Sequence, residues 1–176
     1  YMAFFPSYKV MHDVYDCFVK RAEKIDSAIQ SQNMSEQERE EFLSLFEEDR
    51  DRSLVGFCVM GGIFSEGIDL TEDRLIGAVI VGTGLPQVCN DREIVRRYFE
   101  EHGMAGFDYA YLYPGMNKVL QSAGRVIRTE RDRGMILLLD DRFQQRQYRE
   151  TFPREWEGIR ICSAESLPAY LEEFWK

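Results

Sequence analysis

The sequence predicts an α/β fold in which helices cover both faces of a mainly parallel sheet of about six strands. Short apolar runs and longer amphipathic segments alternate about six times along the 176 residues, which is typical of parallel strands joined by crossover helices. One run, Ser53 to Met60, is continuously apolar, as expected of a strand with both faces covered. We therefore expect one α/β domain that spans residues 1–176.

Four strands and two helices are expected in the first part of the chain. Helical periodicity follows the first strand as far as about Arg21. Ser35 and Glu38 fit a capping box that begins a second helix, which packs one apolar face and exposes its acidic residues. The expected strands are Tyr1–Phe5, Ala28–Ser31, Ser53–Met60 and Leu75–Val81.

The rest of the chain continues the alternation. Asn90 or Asp91 is expected to cap a helix that stops at Gly103, and Ser166 to cap the last helix. A helical stretch at Phe143–Glu150 separates two expected strands, Met135–Leu139 and Ile159–Cys162. The apolar residues expected to face inward from the two capped helices are Ile94, Val95, Tyr98, Phe99, Leu167, Tyr170, Leu171, Phe174 and Trp175.

Composition predicts a soluble globular chain. Hydrophobic residues make up 44% and charged residues 30%, with no apolar run of about 18 residues and no secretory signal. The formal net charge is -9. A negative net charge does not attract nucleic acid, so any DNA contact must be local. The acidic stretch Glu36–Asp51 is interpreted as a solvated helix face.

Cysteine and histidine usage indicates an intracellular protein without a metal site. The four cysteines lie far apart and form no C-x-x-C pair, so we expect reduced, mostly buried thiols. We expect a cytoplasmic location, with a prokaryotic source favoured, or a nuclear location in a eukaryote. His12 and His102 form no plausible acid/base pair. The cysteines are Cys17, Cys58, Cys89 and Cys162.

The segment QSAGRVIR carries a polar stripe if it is helical. Gln121, Gly124, Arg125 and Arg128 then fall at i, i+3, i+4 and i+7. A glycine inside a helix costs about 1 kcal/mol relative to alanine, which suggests close approach by a ligand. Two guanidiniums suit a phosphate-rich ligand, and the alternative is a surface helix with solvated arginines. The apolar side comprises Met116, Val119, Leu120, Ala123, Val126 and Ile127.

Three ordered motifs resemble those of superfamily-2 helicases of the XPD/DinG group. QSAGRVIR resembles motif VI, Q-x-x-G-R-x-x-R, and Asp132, Gly134 and Asp140–Phe143 match the extension of that motif in this group. Gly61–Leu70, GGIFSEGIDL, resembles motif V, and Phe4–Tyr8, FFPSY, resembles motif IV. The resemblance implies the second motor domain of an ATP-dependent DNA helicase, with a three-layer RecA-like (P-loop NTPase-type) fold.

The resemblance implies catalytic roles for three residues of motif VI. Arg125 and Arg128 are candidate arginine fingers, of which Arg128 is preferred. A finger supplied from a facing domain is worth about 10³ to 10⁵ in rate in related NTPases. Gln121 is expected to orient water or to contact the γ-phosphate.

The resemblance also implies that some of the remaining motif residues contact the nucleotide and that others contact DNA. Asp69 is expected to accept a hydrogen bond from the ribose, its alternative role being that of a turn residue. Helix capping is the alternative for the two residues of motif IV. The nucleotide-side residues are Asp69, Gly67, Gly124 and Glu66, and the DNA-side residues are Ser7, Tyr8, Gly62 and Ser65.

Half of an ATPase site is missing from the sequence, which contains no G-x-x-x-x-G-K-[ST] loop and no D-E-x-H-type box. Both belong to the first motor domain, with which this chain would share ATP and Mg²⁺. We expect a monomeric domain excised from a longer chain and inactive alone, with the first motor domain and single-stranded DNA as partners and no membrane contact. The family moves 5′ to 3′, and any iron–sulfur cluster would lie in the first motor domain of the parent protein.

Two other classes of function stay open from the residues alone. One is a non-catalytic α/β module that binds proteins through its acidic face and retains helicase motifs. The other is an unrelated phosphate-binding α/β enzyme. An aromatic cluster could stack single-stranded bases or belong to the core or a domain interface; it comprises Phe107, Tyr109, Tyr111 and Tyr113.

Overall fold

The computed structural model describes residues 1–47, 50–65, 70, 74–127 and 132–176. A π-helical turn, Asp108–Leu112, and two 3₁₀ turns, Asp141–Gln144 and Arg154–Trp156, accompany the regular elements. The strands are β1 (Met2–Phe5), β2 (Asp26–Ile29), β3 (Leu54–Val59), β4 (Gly77–Val81) and β5 (Met135–Leu139). The helices are α1 (Tyr8–Val19), α2 (Glu36–Ser44), α3 (Asn90–Glu101), α4 (Tyr113–Ala123), α5 (Arg146–Arg149) and α6 (Leu167–Trp175).

The five strands form one parallel sheet in the order β2-β3-β1-β4-β5. The central strand β1 pairs Met2 with Gly56 of β3 and with Ala78 of β4. The predicted parallel α/β fold is confirmed, and β3 lies in the sheet interior as its apolar sequence indicates. The described residues give five strands rather than about six.

The expected strand at Ile159–Cys162 does not form, and this prediction was wrong. Ile161 is 60% exposed, and the amide of Ile159 donates to the carbonyl of Trp156 in a turn. An apolar run by itself predicts a strand only where a sheet edge is available to pair with it.

Two apolar cores lie on opposite faces of the sheet because β1 alternates its side chains. Phe5 stacks on Phe57 with ring centroids 5.6 Å apart, and Met11 of α1 packs on this face. The other face buries Phe4 against residues of α2 and α4, including Met116. Fully burying each such side chain contributes about 1.5–3 kcal/mol, so the sheet is held between helices in three layers.

The predicted helix boundaries depend on local hydrogen bonds and are largely confirmed. The Ser35 hydroxyl accepts from the amide of Glu38, and the Glu38 carboxylate accepts from the amide of Ser35, which completes the capping box. Gly103 has φ +73° and ends α3. Asn90, however, is the first residue of α3 and not its cap, because Cys89 occupies that position without a side-chain bond.

The apolar residues of α3 do not face inward as expected. Ile94 is 66% and Tyr98 55% exposed, and Val95 is also exposed. Phe99 stacks on Tyr109 of the π-helical turn with ring centroids 4.0 Å apart. Helical periodicity predicts which residues share an apolar face but not which element packs against that face. No described element covers Ile94, Val95 and Tyr98.

The cysteines are free thiols among the described residues, but only Cys58 is buried. Burial raises the pKa of its thiol above the ordinary value. Cys17 and Cys89 are exposed, so the expectation of mostly buried thiols was wrong. No described helix is long and apolar enough to cross a membrane.

Candidate functional site

The loops that resemble helicase motifs meet at the carboxyl edge of the sheet. The loop after β1 contains Ser7 and Tyr8, and the turn after β3 contains Gly61 to Ser65. The loop after β4 contains Gly82 and Gly84, both with positive φ. Open α/β sheets bind ligands at this edge, so the fold brings the motif IV and motif V loops to the expected place.

Ser7 and Tyr8 connect β1 to α1. The Ser7 hydroxyl caps α1 by accepting from the amide of Val10 at 3.3 Å. The Tyr8 hydroxyl accepts from Gln30 at 2.8 Å and donates to the carbonyl of Ser31 at 3.4 Å. Partial burial raises the pKa of the Tyr8 hydroxyl. The hydrogen bond from Gln30 acts in the opposite direction but is the smaller effect. Both hydroxyls therefore also organise the chain locally.

The turn after β3 is closed by Ser65. Its hydroxyl accepts from the amide of Gly61 at 2.8 Å and donates to the carbonyl of Val59 at 3.3 Å. Ser65 is fully buried, so its side chain shapes the turn from inside. Gly61 has φ +69°, a conformation that side chains disfavour.

Four predicted site residues lie outside the described residues. They are Glu66, Gly67 and Asp69 of motif V and Arg128 of motif VI. Their assigned roles stay predictions.

The motif VI helix ends earlier than its spacing indicates. Helix α4 stops at Ala123, and Gly124 is its cap, with φ -66° and ψ 2°. Val126 turns into the core, where it is 2% exposed and packs against Gly134. The expectation of a continuous helical stripe to Arg128 was therefore wrong as far as the described residues extend, and so was the expectation that Ile127, which is 47% exposed, lies on the buried side.

Gln121 and Gly124 are exposed at the end of α4, and Arg125 is half-buried beside them. The Arg125 Nε donates to the carbonyl of Gln121 at 3.3 Å. A β-carbon built on Gly124 would meet only carbonyls of its own helix, that of Leu120 at 3.1 Å being the nearer. The described part of the chain thus leaves this surface open to a ligand.

Lys118 of α4 joins the motif V turn to the motif VI helix. A β-carbon built on Gly61 would lie 3.2 Å from the Cδ and Cε atoms of Lys118, and one built on Gly84 would lie 3.6 Å from its Cβ. The half-buried lysine side chain therefore crosses the ends of β3 and β4. Our sequence reasoning missed it, although it stands one helical turn before Gln121.

Gln30 is a second residue that sequence reasoning missed. It is 1% exposed at the end of β2, and its amide bonds both Tyr8 and the backbone amide of Val59. Gln30 is the first of four consecutive polar residues, Gln30–Asn33, after β2, so nothing in the sequence singles it out. Its partners lie 22 and 29 residues away, so the spacing does not reveal them.

Asp140 follows β5 at the same edge of the sheet. Its carboxylate accepts from the Nε and Nη2 of Arg142 at 2.8 and 2.7 Å. These bonds hold the pKa of Asp140 below its ordinary value. The buried Phe143 anchors the 3₁₀ turn that follows.

The aromatic cluster is partly buried and partly exposed. Tyr111 is 4% exposed and donates to the carboxylate of Glu93 at 2.6 Å. Phe107, Tyr109 and Tyr113 remain partly exposed. The cluster therefore ties α3 to the π-helical turn, as the core alternative predicts, while base stacking stays a prediction.

Histidine and acidic residues form no obvious catalytic or metal centre in the described part of the chain. His102 is exposed, and its Nδ1 lies 2.7 Å from the carbonyl of Tyr98 at the end of α3. This confirms its interpretation as a surface or capping residue. No group of three or more His, Cys, Asp or Glu residues could hold a metal within the described ranges.

These features define a three-layer α/β domain with a glycine-rich turn at the carboxyl edge of its sheet. The arginine-bearing end of α4 leads into Val126, which packs against Gly134 just before β5. The chain belongs to the helicase C-terminal domain family, whose model matches residues 1–158. The predicted resemblance is thereby confirmed.

Two of the curated relatives reported below are helicases by name. The chain is 31% identical to a Drosophila grimshawi regulator of telomere elongation helicase 1 homolog over 99% of its own length and 20% of that protein. It is 26% identical to ATP-dependent DNA helicase CHL1 of Yarrowia lipolytica over 99% of its own length and 25% of that protein. A Gallus gallus Fanconi anemia group J protein homolog is 26% identical over 81% of this chain and 13% of that protein. The chain thus spans about a fifth to a quarter of the first two relatives.

Two solved XPD structures share the fold. One, of apo XPD, superposes with a TM-score of 0.65 at 24% identity, covering 85% of this chain and 30% of the other. The other, an XPD helicase, gives a TM-score of 0.62 at 22% identity, covering 85% and 26%. The RecA-like fold expected from the motifs is confirmed.

Proposed function

We propose that this chain is the second motor domain of an ATP-dependent 5′ to 3′ DNA helicase. It contributes arginine fingers to a shared ATP site and part of the groove for single-stranded DNA. The observation that carries the proposal is the side chain of Lys118 lying across Gly61. That contact supports the proposal because it joins the motif V turn to α4, the helix that leads into motif VI, at the edge where parallel sheets bind ligands.

MgATP, when bound between this domain and the first motor domain of the same polypeptide, supplies the phosphoryl group that is transferred to water. Arg125 and Arg128 place positive charge against the γ-phosphate, and Gln121 orients the attacking water. Gly124 leaves the helix end open to the phosphates. Asp69 holds the ribose, beside Gly67 and Glu66.

The DNA side of the site is formed by the loop after β1 and the turn after β3. Ser7 and Tyr8 contact the backbone of single-stranded DNA, together with the backbone of Gly62, and Ser65 keeps the turn in shape. Lys118 adds a cation beside the turn, a local positive charge in a chain of net charge -9. Closure of the two motor domains around the nucleotide then moves the strand along this groove.

Alanine substitution of the two arginines in the full-length parent protein tests the ATPase role. We expect Arg128→Ala, and Arg125→Ala to a similar or smaller extent, to lower DNA-stimulated ATP hydrolysis by about 10³-fold or more, as for other arginine fingers. The exposed Arg154, on a 3₁₀ turn outside the three motif segments of the sequence, provides the control Arg154→Ala, which should retain activity. Near-normal turnover in both finger variants would leave the non-catalytic module as the better explanation.

A further inference from the structure

The side chain of Gln30 bridges two loops that belong to different motifs. Its Nε2 donates to the Tyr8 hydroxyl at 2.8 Å, and its Oε1 accepts from the backbone amide of Val59 at 2.9 Å. Val59 is the last residue of β3, immediately before the motif V turn. A single buried amide therefore joins the loop after β1 to the turn after β3.

The same amide lies directly beneath Gly62. A β-carbon built on Gly62 would lie 3.1 Å from the Nε2 of Gln30 and 3.0 Å from the carbonyl of Val59. The missing side chain of Gly62 thus makes room for the bridge. Ser65 holds the other side of the turn through its bond to Gly61, so the turn is supported on both sides.

Gln30 meets a requirement that few other residues could meet at this position. It must accept from a backbone amide and donate to a hydroxyl while remaining uncharged, since it is 1% exposed and a buried charge is costly. Glutamine offers a donor and an acceptor on one neutral group. An apolar replacement would leave the Val59 amide and the Tyr8 hydroxyl without this partner.

We propose that Gln30 is a positioning residue that holds Tyr8 and the Gly61–Ser65 turn in fixed register, so that both contact one stretch of single-stranded DNA backbone. The inference rests on the proposed function, which places both loops on the DNA. Gln30 touches neither DNA nor nucleotide. Its loss should therefore weaken DNA binding while leaving the chemistry of ATP hydrolysis intact.

The test measures ATP hydrolysis by the full-length parent protein against concentrations of single-stranded DNA and of ATP. Gln30→Met keeps a long unbranched side chain but removes the donor and the amide acceptor. We expect the DNA concentration for half-maximal stimulation to rise about fivefold, the size expected when a neutral hydrogen bond that orders a binding surface is lost. The kcat at saturating DNA and the KM for ATP should stay within about twofold.

Tyr8→Phe and Cys58→Ala separate positioning from general destabilisation. Tyr8→Phe removes one of the two bonds and should shift DNA half-saturation in the same direction, with little further effect in a Gln30→Met background. Cys58→Ala trims the buried neighbour of Val59 and leaves both bonds in place, so it should lower the Tm without a selective change in DNA half-saturation. If Gln30→Met fails to fold, Gln30→Asn repeats the test, because it keeps a neutral donor and acceptor on a side chain one methylene too short to reach both partners.

Two outcomes overturn the proposal. One is an unchanged DNA concentration for half-maximal stimulation in both Gln30→Met and Tyr8→Phe, in an assay in which Arg125→Ala has lost ATP turnover. The other is a loss of kcat and ATP affinity in Gln30→Met that parallels Cys58→Ala, which indicates a merely structural role. Retained turnover in both Arg125→Ala and Arg128→Ala would instead overturn the proposed function. In that case, fluorescence anisotropy with labelled single-stranded DNA still measures whether Gln30→Met weakens DNA binding.

Discussion

At the scale of single residues, Gly134 illustrates how a position after the motif VI segment is constrained by packing. A β-carbon built there would lie 2.3 Å from the Cγ1 of Val126 and 2.8 Å from the carbonyl of Ile76. We predict that Gly134→Ala lowers the free energy of unfolding by about 1–3 kcal/mol, the usual cost of overpacking, as measured by urea denaturation. The backbone carbonyl cannot move away without disturbing the start of β4.

Gly158→Ala is the matched control for that substitution. Nothing lies within 4 Å of a β-carbon built on Gly158, so the same chemical change should alter stability by no more than about 0.5 kcal/mol. Equal effects of the two substitutions would show that packing around Gly134 is not the cause.

Asp140 should make stability depend on pH. Its hydrogen bonds from Arg142 lower the pKa of the carboxyl, so the folded state favours the ionised form. The resulting stabilisation is present above the ordinary aspartate pKa of about 3.9 and is lost as the pH falls through the lower, folded-state value. We predict that Asp140→Asn lowers the Tm at pH 7 and that this difference shrinks below about pH 4. A difference that stays constant from pH 7 to pH 3 would contradict the ion-pair explanation.

At the scale of elements, α4 places Lys118 over the turn after β3, where the proposed DNA groove lies. We predict that Lys118→Met in the full-length parent weakens binding of single-stranded DNA. It should also make the slope of log K against log salt less steep by about 0.7, the value for one phosphate contact on a single strand. Fluorescence anisotropy titrations between about 50 and 200 mM salt measure both quantities.

Lys20→Met removes a charge of the same kind from the far end of α1, where Lys20 is exposed. This control should leave the salt slope unchanged. An identical change of slope in both variants would mean that Lys118 acts only through the net charge of the protein.

At the scale of the whole molecule, the proposed function gives this chain only the motif V and motif VI side of an ATP site. We predict that the isolated chain does not hydrolyse ATP and binds an ATP analogue more weakly than about 1 mM. Exposed charge contacts contribute only about 0–1 kcal/mol each and cannot offset the cost of immobilising a nucleotide. Calorimetry with an ATP analogue and a phosphate-release assay, each with and without single-stranded DNA, provide the measurement.

Two results for the isolated chain would contradict this prediction. Micromolar binding of nucleotide, or turnover that survives in Arg125→Ala, would mean that this chain contains a complete site of a different kind. The unrelated phosphate-binding enzyme would then be the better explanation.

The sequence by itself determined the features that depend on local chemistry. The apolar run that became β3, the capping box of Ser35 and Glu38 and the stop at Gly103 are each decided by neighbours within a few residues. The three motifs likewise identified the family, because their residues and order are written in the chain. The parallel sheet followed from the alternation of strand and helix.

Only the tertiary structure decided the features that depend on distant partners. Helix α4 stops at Ala123, and Val126 then packs against Gly134. Ile94, Val95 and Tyr98 of α3 are exposed because no described element covers them, and Ile159–Cys162 finds no strand to pair with. The bridge through Gln30 exists because three chain segments, far apart in sequence, end at the same edge of the sheet. A periodic pattern specifies which residues share one face of a helix or strand. It does not specify which other element packs against that face.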